Sequence, residues 1–140
     1  MNKEIFDDYI RRFNDRDSSA FDDYLSDDVL VVNGTLNLQG ISGMKAHYQK
    51  IWQGFDEVLH VERFVSDERC LAVQMWTHFR VITDQQTSVF GRVKAGETFD
   101  FHGLIMYEIR DGKFSHIQVA YNSFTFTDLQ GNKTELGIPH

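Results

Sequence analysis

Three histidines are the first residues of this sequence that could do chemistry. His78, His102 and His116 occupy alternating positions of three predicted strands, so their side chains face the same side of a sheet. Such a row could form a metal site or an acid–base cluster. No cysteine, helical histidine pair or dense set of carboxylates accompanies it, and histidines hydrogen-bonded within an interface explain it more simply. The sequence therefore predicts no metal and no other cofactor.

Tyr9 is the second candidate. It lies on the apolar stripe of an amphipathic helix predicted over Lys3 to Asn14, together with Phe6 and Phe13. A tyrosine in this place is either a core aromatic residue whose hydroxyl is satisfied or a hydrogen-bond donor to a ligand. Both interpretations remain open from the pattern alone.

Composition excludes several classes of function. The 140 residues include 14 Lys and Arg against 21 Asp and Glu, for a net charge of −7 without a basic cluster, which argues against nucleic-acid and membrane partners. One cysteine excludes an intrachain disulfide. Neither a phosphate-binding glycine loop nor a G-x-S-x-G motif occurs. No apolar run has the length of a signal peptide or a membrane span, so we expect a cytoplasmic protein.

The elements that must position these residues follow from hydrophobic spacing. Helical periodicity in the first part of the chain changes to alternation after Asp56. Two dipeptides that end in glycine, Asn33-Gly34 and Asp111-Gly112, predict tight hairpins. The segment from Asp84 to Gly96 is expected to be a long loop. The predicted order is helix, helix, hairpin and helix, followed by four strands, at Glu57–Ser66, Leu71–Thr83, Glu97–Arg110 and Lys113–Phe124.

This order predicts an α+β fold, in which a cone-shaped, curved antiparallel sheet wraps around three N-terminal helices in the order ααββαββββ. Alternation gives the sheet one apolar and aromatic face, which we expect to be concave and covered by the helices. A single domain is expected over residues 1–128, with a polar tail at 129–140.

The opposite, convex face is mixed rather than polar. Aromatic and Met side chains among histidines and amides are typical of a dimer interface. We therefore expect a homodimer that forms through Trp76, His78, His102, Met106, His116 and Gln118.

Four short motifs, in their order along the chain, resemble those of the nuclear transport factor 2-like superfamily, and most closely its SnoaL-like group. They are Asn14-Asp15-Arg16-Asp17, Leu25-Ser26-Asp27-Asp28-Val29, Gly40-Ile41-Ser42-Gly43 and Ile109-Arg110-Asp111-Gly112-Lys113-Phe114. Members of this superfamily include ketosteroid isomerases, polyketide cyclases, dehydratases and binding domains without catalytic activity, usually as homodimers. The resemblance supports the fold better than any one activity.

The resemblance also implies roles for single residues. Tyr9 matches the isomerase tyrosine that stabilises an oxyanion. The isomerase's proton-shuttling aspartate falls on Asn33, which cannot exchange a proton near neutral pH, and its second acid falls near Ile105. The aspartate of the polyketide cyclases falls on Asn122. Asn33 would orient a substrate or simply form the turn, and Tyr121 or Asp28 is left as the proton acceptor.

We expect a small pocket protein that binds an apolar or aromatic molecule between the helices and the concave sheet. If it is an enzyme, its chemistry is that of a cofactor-independent isomerase, cyclase or dehydratase. The alternative is a binding or dimerisation module that fills its own cavity. A cavity of ~300 Å³ or more in which Tyr9 and a carboxylate converge would favour the enzyme. The expected ligand-binding residues are Phe13, Tyr48, Trp52, Phe99, Phe101, Ile105, Tyr107 and Val119.

Overall fold

Three helices, a seven-stranded sheet and a two-stranded hairpin form the part of the chain that the structure describes. The structure is a computed structural model, and it describes residues 1–137. The helices are α1 (Lys3–Asn14), α2 (Ser19–Tyr24) and α3 (Gly40–Gly54). The strands are β1 (Leu25–Asn33), β2 (Leu36–Gln39), β3 (Phe55–Ser66), β4 (Cys70–Val81), β5 (Gln85–Ser88), β6 (Gly91–Val93), β7 (Thr98–Arg110), β8 (Lys113–Thr127) and β9 (Lys133–Glu135).

The main sheet confirms the predicted α+β architecture and corrects one pairing. Its strand order is β2-β1-β8-β7-β4-β3, with β9 added to β8. The long strands β3, β4, β7 and β8 pair antiparallel, as predicted. The prediction of a wholly antiparallel sheet is wrong, because β1 and β8 run parallel. The chain leaves β2 through α3, enters the sheet again at the opposite edge and returns strand by strand, so β8 arrives beside β1 in the same direction.

Two segments that were expected to be irregular contain strands. The predicted loop from Asp84 to Gly96 folds into a separate hairpin of β5 and β6. The predicted polar tail at 129–140 is attached to the sheet, since β9 pairs with the end of β8. Residues 138–140 of that tail lie outside the described residues.

The first hairpin forms where it was predicted, but its turn is shifted by one residue. Asn33 pairs with Leu36, so the two-residue turn consists of Gly34 and Thr35. Gly34 has a φ of 60°, which glycine adopts without strain. Asn33 is thus the last residue of β1 rather than a turn residue. By contrast, Asp111 and Gly112 both have positive φ, as the predicted type I′ turn requires.

The helices cover one face of the sheet and form a core with it. Phe6 of α1 is fully buried, and its ring centroid lies 5.2 Å from that of Tyr107 on β7. The side chain of Asn2 caps α1 by accepting a hydrogen bond from the backbone N–H of Ile5. These contacts confirm that the alternating apolar residues of the long strands turn towards the helices.

A bulge in β8 changes which residues reach this concave face. The register between β7 and β8 shifts after Gly103 pairs with Tyr121, and Asn122 is left without a partner. Beyond the bulge, Phe101 pairs with Phe124 and Phe99 with Phe126. An aromatic cluster therefore extends the core past the end of α3.

Candidate functional site

A cavity of about 160 Å³ lies between the helices and the concave face of the sheet. Its wall is mostly apolar and aromatic, with contributions from α1, α3 and the strands β1 to β4, β7 and β8. The hairpin of β5 and β6 adds the side chains of Val89 and Phe90. Among the described residues, no Lys or Arg lines the cavity, and its only carboxyl group is that of Glu57.

Glu57 is the charged residue that the core buries. It follows Phe55 by two positions on β3, so the alternation of the strand turns both side chains inward. Glu57 is only 6% exposed, and its Oε1 atom has no hydrogen-bond partner. Burial raises the pKa of the Glu57 carboxyl to about 8, because the charged form loses its hydration. Such a carboxyl group exchanges protons near neutral pH.

Three tyrosines share the cavity wall with this carboxyl group. Tyr9 from α1, Tyr48 from α3 and Tyr107 from β7 line the same cavity. Burial raises the pKa of the Tyr9 phenol, and the nearby charge of Glu57 raises it further. Burial also raises the pKa of Tyr48, with smaller contributions from Glu57, Tyr9 and Tyr107. All three hydroxyl groups therefore remain protonated, and they can donate hydrogen bonds to a ligand.

Two further polar side chains, those of His47 and Asn33, also line the cavity. His47 of α3 has its pKa lowered by burial and by the charge of Lys50, so its imidazole is neutral at pH 7. Asn33, at the end of β1, is half-buried and lines the cavity with its amide. The cavity thus offers one acid, several hydrogen-bond donors and no fixed cation.

The structure brings together the candidates Tyr9, Asn33 and Tyr121, all of which line the cavity. The other two positions considered for proton transfer lie elsewhere. Asn122 occupies the bulge of β8, is exposed and does not line the cavity. Asp28 is exposed and forms an ion pair with Arg110.

Most residues that were expected to bind a ligand line the cavity, but two do not. Trp52 lies beyond Tyr48 on α3, where it packs against Phe13 and Phe21 instead of facing the open space. Phe99 belongs to the second aromatic cluster, because β7 carries it past the end of the cavity. The prediction that Trp52 and Phe99 line the cavity is therefore wrong. The expected residues found in the wall are Phe13, Tyr48, Phe101, Ile105, Tyr107 and Val119.

The expectation from sequence missed Glu57, although a pattern was available. Phe55, Glu57 and Leu59 occupy alternating positions of one strand, and the outer two are apolar. A carboxylate between two inward-facing apolar positions has to be buried. The predicted strand began at Glu57, so Phe55 was not available to show the alternation.

The convex face carries a network of polar and aromatic side chains. The indole Nε1 of Trp76 donates a hydrogen bond of 2.7 Å to Asp100, and His78 contacts the same carboxylate at 2.7 Å. The rings of His60 and His102 stack on either side of Trp76. Each histidine of the predicted row lies beside a different carboxylate: His78 beside Asp100, His102 beside Glu62 and His116 beside Glu108. Within residues 1–137 no cluster of His, Cys, Asp and Glu is arranged to hold a metal ion.

This chain belongs to the SnoaL-like domain family, whose model matches residues 6–117. No curated protein is similar enough in sequence to count as a relative. Solved structures share the NTF2-like fold at low sequence identity. No helix within residues 1–137 has the length and apolar character needed to cross a membrane.

Three of these structures show how widely the fold is used. A SnoaL-like polyketide cyclase from Agrobacterium tumefaciens is 18% identical, with a TM-score of 0.69 over 87% of this chain and 93% of that one. An LEH-like epoxide hydrolase from M. tuberculosis is 12% identical, with a TM-score of 0.68 over 85% and 80%. A computationally designed 17-OHP binder is 14% identical, with a TM-score of 0.70 over 89% and 95%.

Proposed function

We propose that this protein binds a small apolar or aromatic metabolite in its cavity and moves a proton on it without a cofactor. The chemistry would be that of an isomerase, cyclase or dehydratase. The observation that carries this proposal is the Glu57 carboxyl group, buried in the cavity wall without a partner and with a pKa of about 8. A general base works best when its pKa lies near the working pH.

The groups around the cavity suggest a division of work for a carbonyl substrate. The ionised Glu57 removes a proton from the carbon next to the carbonyl. The electron pair of the C–H bond forms a carbon–carbon double bond, and the π pair of the carbonyl moves onto its oxygen. Tyr9 and Tyr48 donate hydrogen bonds to the oxygen as its negative charge develops. Protonated Glu57 then returns the proton to carbon. Asn33 orients the substrate from the end of β1.

Deuterium exchange into acetophenone tests this proposal without knowledge of the natural substrate. Removal and return of a proton in D2O replaces the hydrogens of the methyl group beside the carbonyl, which NMR detects. We expect the wild-type protein to accelerate exchange, and Glu57→Gln to lower the accelerated rate about 100-fold, the typical contribution of a general base. The rate should increase with pH towards 8 and then level off, because the carboxylate is the reactive form.

Glu62→Gln is the matched control, since Glu62 lies on the same strand outside the cavity wall. Its exchange rate should equal that of the wild-type protein. Exchange that is unaffected by Glu57→Gln would contradict the proton-transfer role.

One observation favours the alternative of a non-catalytic module. The cavity of about 160 Å³ is smaller than the ~300 Å³ expected of an enzyme pocket, because aromatic side chains of the protein itself fill much of the space. Binding of acetophenone without any Glu57-dependent exchange would support that alternative.

We also propose a homodimer that forms through the convex face, and a cytoplasmic location. Support for the dimer comes from Leu104, which is 54% exposed, and Met106, which is 42% exposed, on the outer side of β7. They border an apolar groove of about 510 Å³ that Val65 and Gln118 also line. Exposed apolar surface of this kind is typical of an interface.

A further inference from the structure

We propose that the ligand of this cavity is an uncharged molecule that buries a single ring, and that Phe90 sets this limit. This inference rests on the proposed function, because it concerns the same cavity. It adds a size class for the ligand and a residue that determines specificity. Neither follows from the fold, because one fold can serve many unrelated functions.

The volume of the cavity gives the size limit. A closed apolar cavity of roughly 150 Å³ is known to accommodate benzene. The cavity of about 160 Å³ in this protein thus has room for one six-membered ring with a small substituent. A second fused ring would need space that side chains occupy.

The charges of the wall give the chemical class. A carboxylate ligand would be buried beside Glu57 without a cation to balance it, since no Lys or Arg lines the cavity in residues 1–137. The hydroxyl groups of Tyr9 and Tyr48 are donors that suit a carbonyl or ether oxygen. An uncharged ring that carries a hydrogen-bond acceptor therefore matches this wall.

Phe90 closes the cavity from the side of the β5–β6 hairpin. Its ring centroid lies 5.1 Å from that of Phe79 and 5.8 Å from that of Phe101, two other residues of the wall. It also packs against Phe55 and Phe99, at 5.4 Å and 4.5 Å, in the second aromatic cluster. Phe90 is thus a partition between the cavity and this cluster.

The hairpin that carries Phe90 is held to the body of the protein. The side-chain amide of Gln85, at the start of β5, donates a hydrogen bond of 3.1 Å to the carbonyl oxygen of Gly54. The hydroxyl of Ser88 accepts a hydrogen bond from the backbone N–H of Phe90 and donates one to the carbonyl of Gly91. These contacts fix the backbone of the hairpin, so truncation of the Phe90 side chain should leave an opening instead of a collapsed loop.

The test compares two ketones that differ by one fused ring, acetophenone and 2-acetonaphthone, by isothermal titration calorimetry. The wild-type protein should bind acetophenone about tenfold more tightly, or with a still larger preference, because the second ring clashes with Phe90. Phe90→Ala should remove or reverse this preference, mainly through tighter binding of 2-acetonaphthone. Phe90→Leu should give an intermediate ratio, and it retains an apolar side chain if the alanine variant does not fold.

Thr87→Ala is the matched control, because Thr87 lies on the same hairpin, is exposed and does not line the cavity. It should leave the ratio of affinities unchanged. Equal affinity of the wild-type protein for both ketones, or a ratio that neither Phe90 variant alters, would overturn the inference. Binding of neither ketone would overturn the ligand class.

The deuterium exchange experiment separates this inference from the proposed function. A ratio that depends on Phe90, without Glu57-dependent exchange, would leave the size limit in place and remove the proton-transfer role. Glu57-dependent exchange on both ketones at equal affinity would remove the size limit alone.

Discussion

Glu57 is the residue at which folding and chemistry make opposite demands. A carboxyl group in the core costs free energy unless it is paired or protonated, and Glu57 has neither a cation nor a hydrogen bond to its Oε1 atom. A leucine at this position would relieve that cost, and a glutamine would remove the part that comes from ionisation. The carboxyl group is therefore a candidate functional group, since buried groups with perturbed pKa values cluster at functional sites.

The pH dependence of stability should report this cost. The pKa of Glu57 rises from an ordinary 4.5 in the unfolded chain to about 8 in the folded protein. The folded state therefore holds an extra proton between these values, and the free energy of unfolding should decrease by at most about 1.4 kcal/mol per pH unit from pH 4.5 to 8. Glu57→Gln should lack this contribution, so its stability relative to the wild-type protein increases over the same range.

Urea unfolding at several pH values measures this difference. Below pH 4.5 Glu57 is protonated in both states, and the relative stability of the two proteins should stop changing. A difference that is constant from pH 4 to 9 would contradict the buried, protonated state of Glu57.

Tyr9 allows a second test at this scale. Tyr9→Phe removes one hydrogen-bond donor from the cavity and keeps the ring in the core, so the fold should be unchanged. Acetophenone should bind about 2- to 13-fold more weakly, which corresponds to the net contribution of one hydrogen bond. Calorimetry with Tyr24→Phe is the control, because the hydroxyl of Tyr24 bonds Asp8 outside the cavity. Equal losses in the two variants would remove Tyr9 from the site.

Among the elements, the close approach of β7 and β8 at the bulge shapes the cavity. Gly103 of β7 lines the cavity, and a Cβ atom at this position would clash with the backbone of Tyr121. The absence of a side chain lets Tyr121 reach the wall, and the bulge that follows turns Phe124 inward.

Gly103→Ala should therefore destabilise the protein by about 1–3 kcal/mol, the usual cost of overpacking. Gly43→Ala is the matched control, since Gly43 lies within α3 and an added Cβ meets nothing within 4 Å. It should raise stability by up to about 1 kcal/mol, because alanine favours the helix. Thermal unfolding of both variants measures the contrast. Equal effects would mean that the strands can separate to admit a side chain.

Hydrophobic periodicity predicted the long helices and strands, but not the short strands or the direction in which distant strands pair. The first helix and the long strands follow from spacing that burial enforces over ten or more residues. The β5–β6 hairpin was missed because its strands have three or four residues and no consistent alternation. The parallel pairing of β1 with β8 joins distant segments, and a local pattern carries no information about direction.

The sequence predicted the apolar wall of the cavity and Tyr9, but it did not predict Glu57. The apolar face of the sheet located the cavity, and Tyr9 was found through its helical stripe. Trp52 was misplaced because helical spacing defines a broad face but not which of its residues borders an open space. Phe99 was misplaced for a similar reason, since alternation gives the side of a strand but not the position along it at which a cavity ends.

At the scale of the whole molecule, the exposed apolar groove of the convex face leads to a prediction about assembly. Leu104→Arg places a charge in the proposed interface and should yield monomers in sedimentation velocity. Leu129→Arg is the matched control, because Leu129 is 53% exposed and lies outside the groove. It should leave the dimer intact. A dimer that persists in Leu104→Arg would place the contact on another surface.

The position of β8 in the sheet has a consequence for how the chain folds during synthesis. β8 lies between β1 and β7, so the pairing of Leu25 with Phe114 joins segments more than 80 residues apart. A nascent chain that has not yet released Lys113 from the ribosome lacks the strand that joins β1 to β7 within the sheet. Long-range pairing of this kind slows folding and prolongs the exposure of apolar surface.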